Sequence, residues 1–312
     1  MALSNYEESN YNERETMAHS TRLSTGIEGL DELLGGGLLA GTLTVVVGST
    51  GIGKTQFGLQ FAHAGRRQEG HAGIIFDVTA RGDSQSHLEY ARRIFDWQLA
   101  AVAPEGHIDP GSFFSAARAC GDYLHVFEQK GRRVSRRDLD FDAWHDWQAE
   151  LARRLNTSIA FLYGNFVRGV RRVLVDGIEP VDRPSDSIQL ELFEYVYHQV
   201  LRKDPEWVAR DLFREHYREN ADDVARHLYD PGRVGCMVLY TSHETTLDGL
   251  IERPLDEGDL LAGANTVIHL GKIREGRRFR RALYVAKHRG STCPDEIVPY
   301  RIDDGGIRLQ QE

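Results

Sequence analysis

Eight residues, GSTGIGKT (Gly48–Thr55), have the types and spacing needed to hold a chain of phosphates. The three glycines of this stretch lack a Cβ atom, so its backbone can wrap closely and point N–H groups at an anion. Lys54 supplies positive charge for β- and γ-phosphate oxygens, and Thr55 supplies a hydroxyl that suits Mg²⁺. The stretch predicts a nucleotide-binding loop that consists of Gly48, Ser49, Thr50, Gly51, Ile52, Gly53, Lys54, Thr55 and Gln56.

Two elements must position this loop, and the sequence supplies both. The apolar run LTVVV (43–47) predicts a buried strand, and the residues from Thr55 onward predict a helix. A helix that starts at the loop adds the positive end of its dipole to the phosphate site. Another predicted strand, RRVLVDG (171–177), carries Asp176 at its end, where a parallel strand faces the ligand crevice. We therefore interpret Thr55 and Asp176 as the ligands of Mg²⁺, with Lys54 and Asp176 as catalytic groups.

Predicted strands and helices alternate along the chain, which is the pattern of a parallel sheet with helices on both faces. A helix is predicted from the helical spacing of Leu88, Ala91, Phe95, Leu99 and Val102. Further strands are predicted at 72–78, 123–127 and 234–242, and further helices at 143–162 and 192–200. From Ala264 onward, β signals separated by turns predict an antiparallel extension of the sheet.

The predicted fold class is therefore α/β, with a mostly parallel central sheet and a C-terminal antiparallel β extension. We expect a disordered polar tail over 1–20 and one domain over 21–312. Helical insertions are expected around 97–165 and 204–233, because these stretches are long and the second is densely charged.

The composition of the chain excludes several classes of protein. The net charge of −9 argues against a general polyanion binder, because such affinity comes from clustered Lys and Arg. No apolar run reaches the ~18 residues of a membrane span, and the first twenty residues lack the apolar centre of a signal peptide. A cytoplasmic protein with no membrane partner is expected, and Cys120, Cys236 and Cys293 are expected to be free thiols.

The stretch RLSTGIEGLDELLGGGLLAGTLTVVVGSTGIGKT (22–55) resembles the opening of KaiC-like and RadA-like ATPases of the RecA superfamily. The segment KHRGS (287–291) resembles a second motif of these ATPases, KxRGS. The resemblance covers 22–78 and 234–309. It implies a RecA-like P-loop NTPase fold, ATP and Mg²⁺ as cofactors, and assembly of copies into a ring, with a hexamer as the expected size.

In KaiC-like rings the active site lies between subunits, and KxRGS reaches the neighbour's γ-phosphate. The resemblance therefore implies that Lys287 and Arg289 stabilise charge in trans, with Arg289 as a finger. The strand VLYTSHET ends where related ATPases place a polar γ-phosphate sensor, and Thr241, Ser242 and His243 are the candidates. A surface loop histidine is an equally good reading of His243.

One departure from the resemblance concerns the residues that orient the attacking water. KaiC-like ATPases have a Glu, often a Glu pair, where this chain has Thr79 and Ala80. Neither residue can accept a proton, and the loss of a general base lowers the rate by ~10²–10⁴. Asp77 and Asp83 are the nearby carboxylates that are candidates to take over this role.

Three functions follow as hypotheses. The first is a slow ATPase whose nucleotide state controls ring assembly and the binding of a client protein through the helical insertions. The second is a RadA/RecA-like DNA-dependent ATPase, which the acidic net charge does not favour. The third is a non-catalytic scaffold that binds nucleotide only for folding.

Overall fold

The apolar run before the phosphate loop forms a fully buried strand at the centre of a sheet. The structure is a computed structural model that describes residues 22–79, 87–102, 113–114, 120–127, 141–179, 187–253, 260–291 and 293–310. The side chains of 141–152 and of Ile188 lie outside this description. The predictions about the tail 1–20, Ala80 and Asp83 also fall outside the described residues.

The strands are, in chain order, β1 (Arg22–Leu23), β2 (Leu38–Leu39), β3 (Leu43–Gly48), β4 (Ile74–Asp77), β5 (Ala101–Val102), β6 (Tyr123–His125), β7 (Arg172–Ile178), β8 (Gly235–Thr241), β9 (Thr266–Glu275), β10 (Arg278–His288), β11 (Ile297–Asp303) and β12 (Gly306–Leu309). The helices are α1 (Leu30–Leu33), α2 (Lys54–Gln68), α3 (His87–Phe95), α4 (Phe141–Phe166), α5 (Ile188–Val196), α6 (Pro205–Phe213), α7 (Tyr217–Arg226), α8 (Leu247–Ile251) and α9 (Leu260–Gly263). A π-helical turn (Tyr197–Leu201) follows α5.

Within the described residues, ten strands form one sheet in the order β12-β11-β10-β9-β3-β8-β7-β4-β6-β5. The strands from β9 to β5 pair in parallel. The last three strands, β10, β11 and β12, pair antiparallel. The predicted α/β fold with an antiparallel extension is confirmed.

Helices cover both faces of the sheet. On one face, Phe57 and Phe61 of α2 pack against Val46 of β3. On the other face, Val45 of β3 belongs to a core with Phe161 of α4. Alternate residues of one strand therefore point into two different cores, which explains why β3 is apolar throughout.

The segment before the phosphate loop is tied to the sheet by one buried cation. Arg172, at the start of β7, is fully buried and donates to the carboxylate of Glu69 at 2.8 Å. It also donates to the backbone carbonyls of Ser24 and Phe61. These bonds join the N-terminal segment, α2 and the sheet. They therefore fix the position of the chain before it enters the strand that precedes the phosphate loop.

The helix predicted from Leu88 through Val102 is wrong beyond Phe95. Asp96 adopts a left-handed conformation with φ of 50°, and Ala101–Val102 instead form β5. The carboxylate of Asp122 accepts the indole N–H of Trp97 at 2.8 Å and the amide of Ala100 at 2.6 Å. These two hydrogen bonds hold Trp97 and Ala100 outside the helix, so the helix ends at Phe95. Apolar spacing alone therefore overestimates the length of the helix.

The three cysteines are free thiols, as predicted. Among the helices of the described chain, none combines the length and the apolar character that a bilayer span requires.

Candidate nucleotide-binding site

The carboxyl ends of the parallel strands meet at one edge of the sheet. Gly48 of β3 lies opposite Thr241 of β8 in the strand register. Asp77 of β4 lies opposite Asp176 of β7. Open parallel sheets bind ligands in the crevice outside the carboxyl ends of their strands.

The phosphate loop takes a shape that only glycine allows at two of its positions. A Cβ atom on Gly48 would lie 2.6 Å from the carbonyl oxygen of Leu270, so the neighbouring strand leaves no room for a side chain. Gly53 precedes α2 with φ of 116°, a left-handed conformation. The hydroxyl of Tyr300 donates to the carbonyl of Ile52 at 2.8 Å and fixes the loop from β11.

Lys54 folds back over this loop. Its Nζ donates to the carbonyls of Gly48 at 2.8 Å and Ser49 at 2.9 Å. Burial lowers the pKa of Lys54 to about 8, although the charges of Asp176 and Glu179 act in the opposite direction. An anionic phosphate at this position would restore the favourable charge environment that burial removes.

A cavity of about 710 Å³ opens above the loop, a volume that accommodates a nucleotide. It is lined by Thr50, Gly51, Gly53, Lys54, Thr55, Gln56, Thr79, His87, Tyr90, Asp176, Gly177, Glu179, Thr241, Arg281 and Ile302. Ser49 and Ile52 are buried beneath it. Six of the nine predicted loop residues therefore line this one cavity, and Gly48 is buried at the end of β3, directly before the loop.

The two residues predicted to hold a metal are in direct contact. The hydroxyl of Thr55 donates to Oδ2 of Asp176 at 2.9 Å. A hydroxyl and a carboxylate beside the phosphate loop are the hard oxygen donors that Mg²⁺ prefers when it also binds phosphates. The residues present therefore fit Mg²⁺.

His87 joins the metal carboxylate to a second carboxylate. Its Nε2 lies 3.0 Å from Oδ2 of Asp176, and its Nδ1 lies 3.3 Å from Oδ2 of Asp77. Burial opposes the charged ring, but the hydrogen bonds and charges of the two carboxylates outweigh it and raise the pKa of His87 to about 10. The two ring nitrogens of His87 therefore bridge the strands β4 and β7.

Asp77 is fully engaged by its neighbours. It accepts hydrogen bonds from the hydroxyl of Tyr123 at 2.7 Å and the amide of Thr79 at 2.9 Å. Burial would raise the pKa of Asp77, but the hydrogen bond and charge of His87 outweigh it and hold this pKa well below its usual range. Asp77 is not among the residues that line the cavity, so it does not face the cavity as a base would.

Thr79 lines the cavity where the resemblance places a carboxylate. Its hydroxyl lies 3.4 Å from Nε2 of His125. Of the three sensor candidates, Thr241 lines the cavity, Ser242 is buried and donates its amide to Gly48 at 3.0 Å, and His243 is exposed on the loop that follows β8.

The remaining two predicted site residues lie at the opposite edge of the sheet. Lys287 pairs in register with Val267, near the start of β9, and Arg289 is exposed just beyond β10. The Nζ of Lys287 donates to the carbonyl of Ala262 at 2.8 Å. The phosphate loop follows the opposite end of β3, so neither cation belongs to the cavity of its own chain.

Sequence reasoning missed four polar side chains that line the cavity, namely His87, Tyr90, Glu179 and Arg281. Glu179 had a local signal, because it follows Asp176 by three residues at the end of the same strand. Arg281 stands in the arginine-rich stretch RRFRR (277–281), which by itself gives no signal of a nucleotide site. No local pattern marks His87 or Tyr90, because tertiary contacts bring α3 to the site.

Comparisons with known proteins agree with this architecture. The family model "ATPase: KaiC" matches residues 23–119. The circadian clock oscillator protein KaiC of Parasynechococcus marenigrum is 33% identical over 296 residues, which cover 94% of this chain and 46% of that protein. KaiC of Synechococcus elongatus is 27% identical over 288 residues, which cover 92% of this chain and 44% of the relative. This chain thus spans about half the length of these curated relatives.

A crystal structure of a KaiC-like protein from the archaeon Pyrococcus horikoshii matches with a TM-score of 0.51 at 19% identity. The match covers 94% of this chain and 100% of that one, and at this identity it supports the fold. With its phosphate loop, its sheet order and these similarities, the chain belongs to the KaiC-like ATPases of the RecA superfamily.

Proposed function

We propose that this chain binds ATP with Mg²⁺ at the phosphate loop, hydrolyses it slowly, and uses its nucleotide state to control self-assembly and partner binding. One observation carries the proposal: Lys54, the Thr55 hydroxyl and the Asp176 carboxylate meet at a single cavity. These are the three groups that a magnesium-complexed polyphosphate requires.

In this mechanism the loop amides and Lys54 bind the phosphates, while Thr55 and Asp176 hold the metal. Mg²⁺ held by Thr55 and Asp176 would neutralise phosphate charge. Lys54 exchanges its bonds to the loop carbonyls for phosphate oxygens, so its burial favours an anionic ligand.

Slow hydrolysis is supported by the groups that surround the expected water position. Thr79 can orient a water but cannot accept its proton. Asp77 is buried beneath His87, Tyr123 and the Thr79 amide. Steady-state phosphate release should therefore fall below the 1–10³ per second that is usual for enzymes, by about two orders of magnitude.

Assembly is supported by the position of the second motif. Lys287 and Arg289 stand at the edge of the sheet away from their own phosphate loop. Copies arranged head to tail would bring this edge to a neighbour's cavity, as in a ring. We propose a homo-oligomeric ring, with the hexamer as the expected size, in which Arg289 acts as the finger and His243 contributes to sensing the γ-phosphate.

A client protein is proposed to bind the helices α6 and α7. Trp207 of α6 is 57% exposed, and the guanidinium of Arg210 lies 5.1 Å from its ring centroid. Exposed tryptophan and arginine are frequent anchors of protein interfaces.

A second candidate, a DNA-dependent ATPase, is favoured by one feature. The turn after β9 and the start of β10 expose Arg277, Arg278 and Arg280 around Phe279, which is 65% exposed. Arginine with an exposed aromatic ring suits a single strand of nucleic acid. ATP hydrolysis that rises with single-stranded DNA and falls steeply with salt would establish this function instead.

Light scattering of the purified chain tests the first proposal. Size is measured without nucleotide, with ADP, and with a non-hydrolysable ATP analogue, each with and without Mg²⁺. A larger species only with the triphosphate and Mg²⁺ is expected, and Lys54→Ala should not respond. The same size in all conditions, with unchanged nucleotide binding, would favour the non-catalytic scaffold.

A further inference from the structure

His87 occupies an unusual place between two neighbouring strands. It is the first residue of α3, its side chain is buried, and its two nitrogens face Asp77 and Asp176. These carboxylates lie opposite each other in the register of β4 and β7. The imidazole therefore lies between the two carboxylates and contacts each of them with a different nitrogen.

The metal carboxylate is held from two sides at one atom. Oδ2 of Asp176 accepts the Thr55 hydroxyl at 2.9 Å and lies 3.0 Å from Nε2 of His87. These two bonds fix the side-chain rotation of Asp176. They also set the distance between the two groups that fit Mg²⁺.

The opposite side of the His87 ring is anchored rather than free. The carboxylate of Asp77 lies 3.3 Å from Nδ1 of His87. It is itself fixed by the Tyr123 hydroxyl at 2.7 Å and the Thr79 amide at 2.9 Å. The ring centroids of His87 and Tyr123 are 5.6 Å apart. Because the anchor is rigid, the position of the imidazole is determined by β4, and the imidazole in turn determines the position of Asp176.

We propose that His87 is a positioning residue of the magnesium site, which holds the Asp176 carboxylate against Thr55 and separates it from Asp77. This inference rests on the proposed binding of ATP with Mg²⁺. His87 does not touch the phosphates in this role and acts through Asp176. Groups that orient metal ligands generally act in this way, and their loss lowers metal affinity by about 10–100-fold.

Removal of the ring should weaken the magnesium site for a physical reason. Without it, Asp77 and Asp176 face each other across adjacent strands. Asp176 then loses one of the two contacts that fix its Oδ2 and can turn away from Thr55. Because Mg²⁺ demands near-octahedral geometry, this change raises the Mg²⁺ concentration that nucleotide binding requires.

The test measures binding of a fluorescent ATP analogue as Mg²⁺ is titrated. His87→Leu, which keeps the volume and removes both donors, should raise the half-saturating Mg²⁺ concentration by about 10–100-fold. His87→Gln, which keeps a donor, should give a smaller increase. His71→Leu makes the same change at an exposed histidine and should behave as the wild type.

A second reading separates positioning from a purely structural role. Affinity measured in EDTA depends on Lys54 and the loop amides, and it should stay within about twofold in both His87 variants. A general loss of fold would lower both affinities. An unchanged or lower Mg²⁺ requirement in His87→Leu overturns the inference, whereas a wild-type chain that binds no nucleotide at all overturns the proposed function.

The wild-type chain provides a measurement that does not depend on the variants folding. The ring signals of His87 are followed by NMR in histidine-labelled protein, with ADP in EDTA and with ADP and Mg²⁺. The inference predicts that adding Mg²⁺ shifts these signals, because the metal acts on the oxygen that His87 contacts. Ring signals that do not respond to Mg²⁺ would overturn it.

Discussion

The two ends of the central sheet are built in different ways. At the carboxyl end of the parallel strands, Lys54, Thr55, Asp176 and His87 contact one another or the loop within a single chain. At the other end, Arg289 is exposed beside β10. The first end, the nucleotide edge, thus carries a connected set of polar groups. The second end, the opposite edge, exposes a cation that lies away from the phosphate loop of the same chain.

The second edge is nevertheless held in a defined shape. The guanidinium of Arg22 lies 3.0 Å from Nε2 of His288 and donates to the carbonyls of Leu34 and Gly37. His288 also lies 2.9 Å from the hydroxyl of Thr266. His288, the residue before Arg289, is thus fixed by Arg22, Thr266 and the carbonyl of Leu34, none of which lines the chain's own nucleotide cavity. A residue used by a neighbouring copy requires such a support.

The largest expected effect is a change in nucleotide affinity, which should differ between variants at these two edges. Lys54→Ala should weaken ATP binding by at least about 100-fold, because two or more charge-assisted hydrogen bonds are lost at ~1.5–3 kcal/mol each. Arg289→Ala should change affinity by less than twofold. Titration calorimetry with Mg²⁺ and ATP measures both, and equal losses in the two variants would contradict the division between the edges.

The next effect concerns turnover. Arg289→Ala should lower phosphate release by about 100-fold, the size of effect seen when one charge-stabilising donor is removed from an active site. A mixture of Arg289→Ala with Lys54→Ala should recover part of the activity. In such mixed assemblies, an intact Arg289 from one copy can face an intact phosphate loop of another.

Coupled phosphate-release assays on the mixture and on each variant alone give the comparison. The matched control is Arg308→Ala, an exposed arginine on β12, which should leave turnover unchanged. If the mixture shows no more activity than the sum of its parts, Arg289 does not act in trans.

The sequence revealed one edge better than the other for physical reasons. Glycine spacing and an apolar strand that ends in Asp176 are local signals, because local backbone geometry dictates these residue types. His87 gives no such signal, since its partner Asp176 is 89 residues away in the chain. The helix predicted through Val102 failed for the same reason, because Asp122 ends it from another element.

A smaller effect concerns the sheet between the two edges. His269 of β9 is buried, and its Nδ1 has no hydrogen-bond partner within the described parts of the chain. Burial, with a contribution from the charge of Arg253, lowers the pKa of His269 to about 4. The unfolded chain therefore binds this proton more tightly than the folded chain, and the free energy of unfolding falls as the pH drops from 6.5 toward 4.

This group should account for a loss of about 2 kcal/mol between pH 7.5 and pH 5. His269→Leu lacks that contribution, so chemical denaturation at the two pH values should show a smaller decrease in stability than in the wild type. The difference should be the same in Lys54→Ala, which has no functional phosphate site. If it depends on Lys54, the acid sensitivity originates at the nucleotide edge instead of in the sheet.

The smallest effect is a gain in the rate of phosphate release at the nucleotide edge. Thr79→Glu places a carboxylate at the cavity position where the resemblance expects one, and Thr79 already lines that cavity. A correctly placed base contributes ~10²–10⁴ in rate, and part of that gain is lost because His125 and Asp77 hold the surrounding backbone. We therefore expect phosphate release to rise by about tenfold, with ATP affinity within a few-fold of the wild type.

Thr79→Gln is the matched control, because it has the same size and cannot accept the proton. Single-turnover hydrolysis is the appropriate measurement, since it reports the chemical step apart from product release. An equal rise in both variants would mean that side-chain length, and not the carboxylate, limits the reaction. No rise in either would place the limit elsewhere, such as in the arrangement of Arg289 from a neighbouring copy, and the slow rate would then depend on the opposite edge of the sheet.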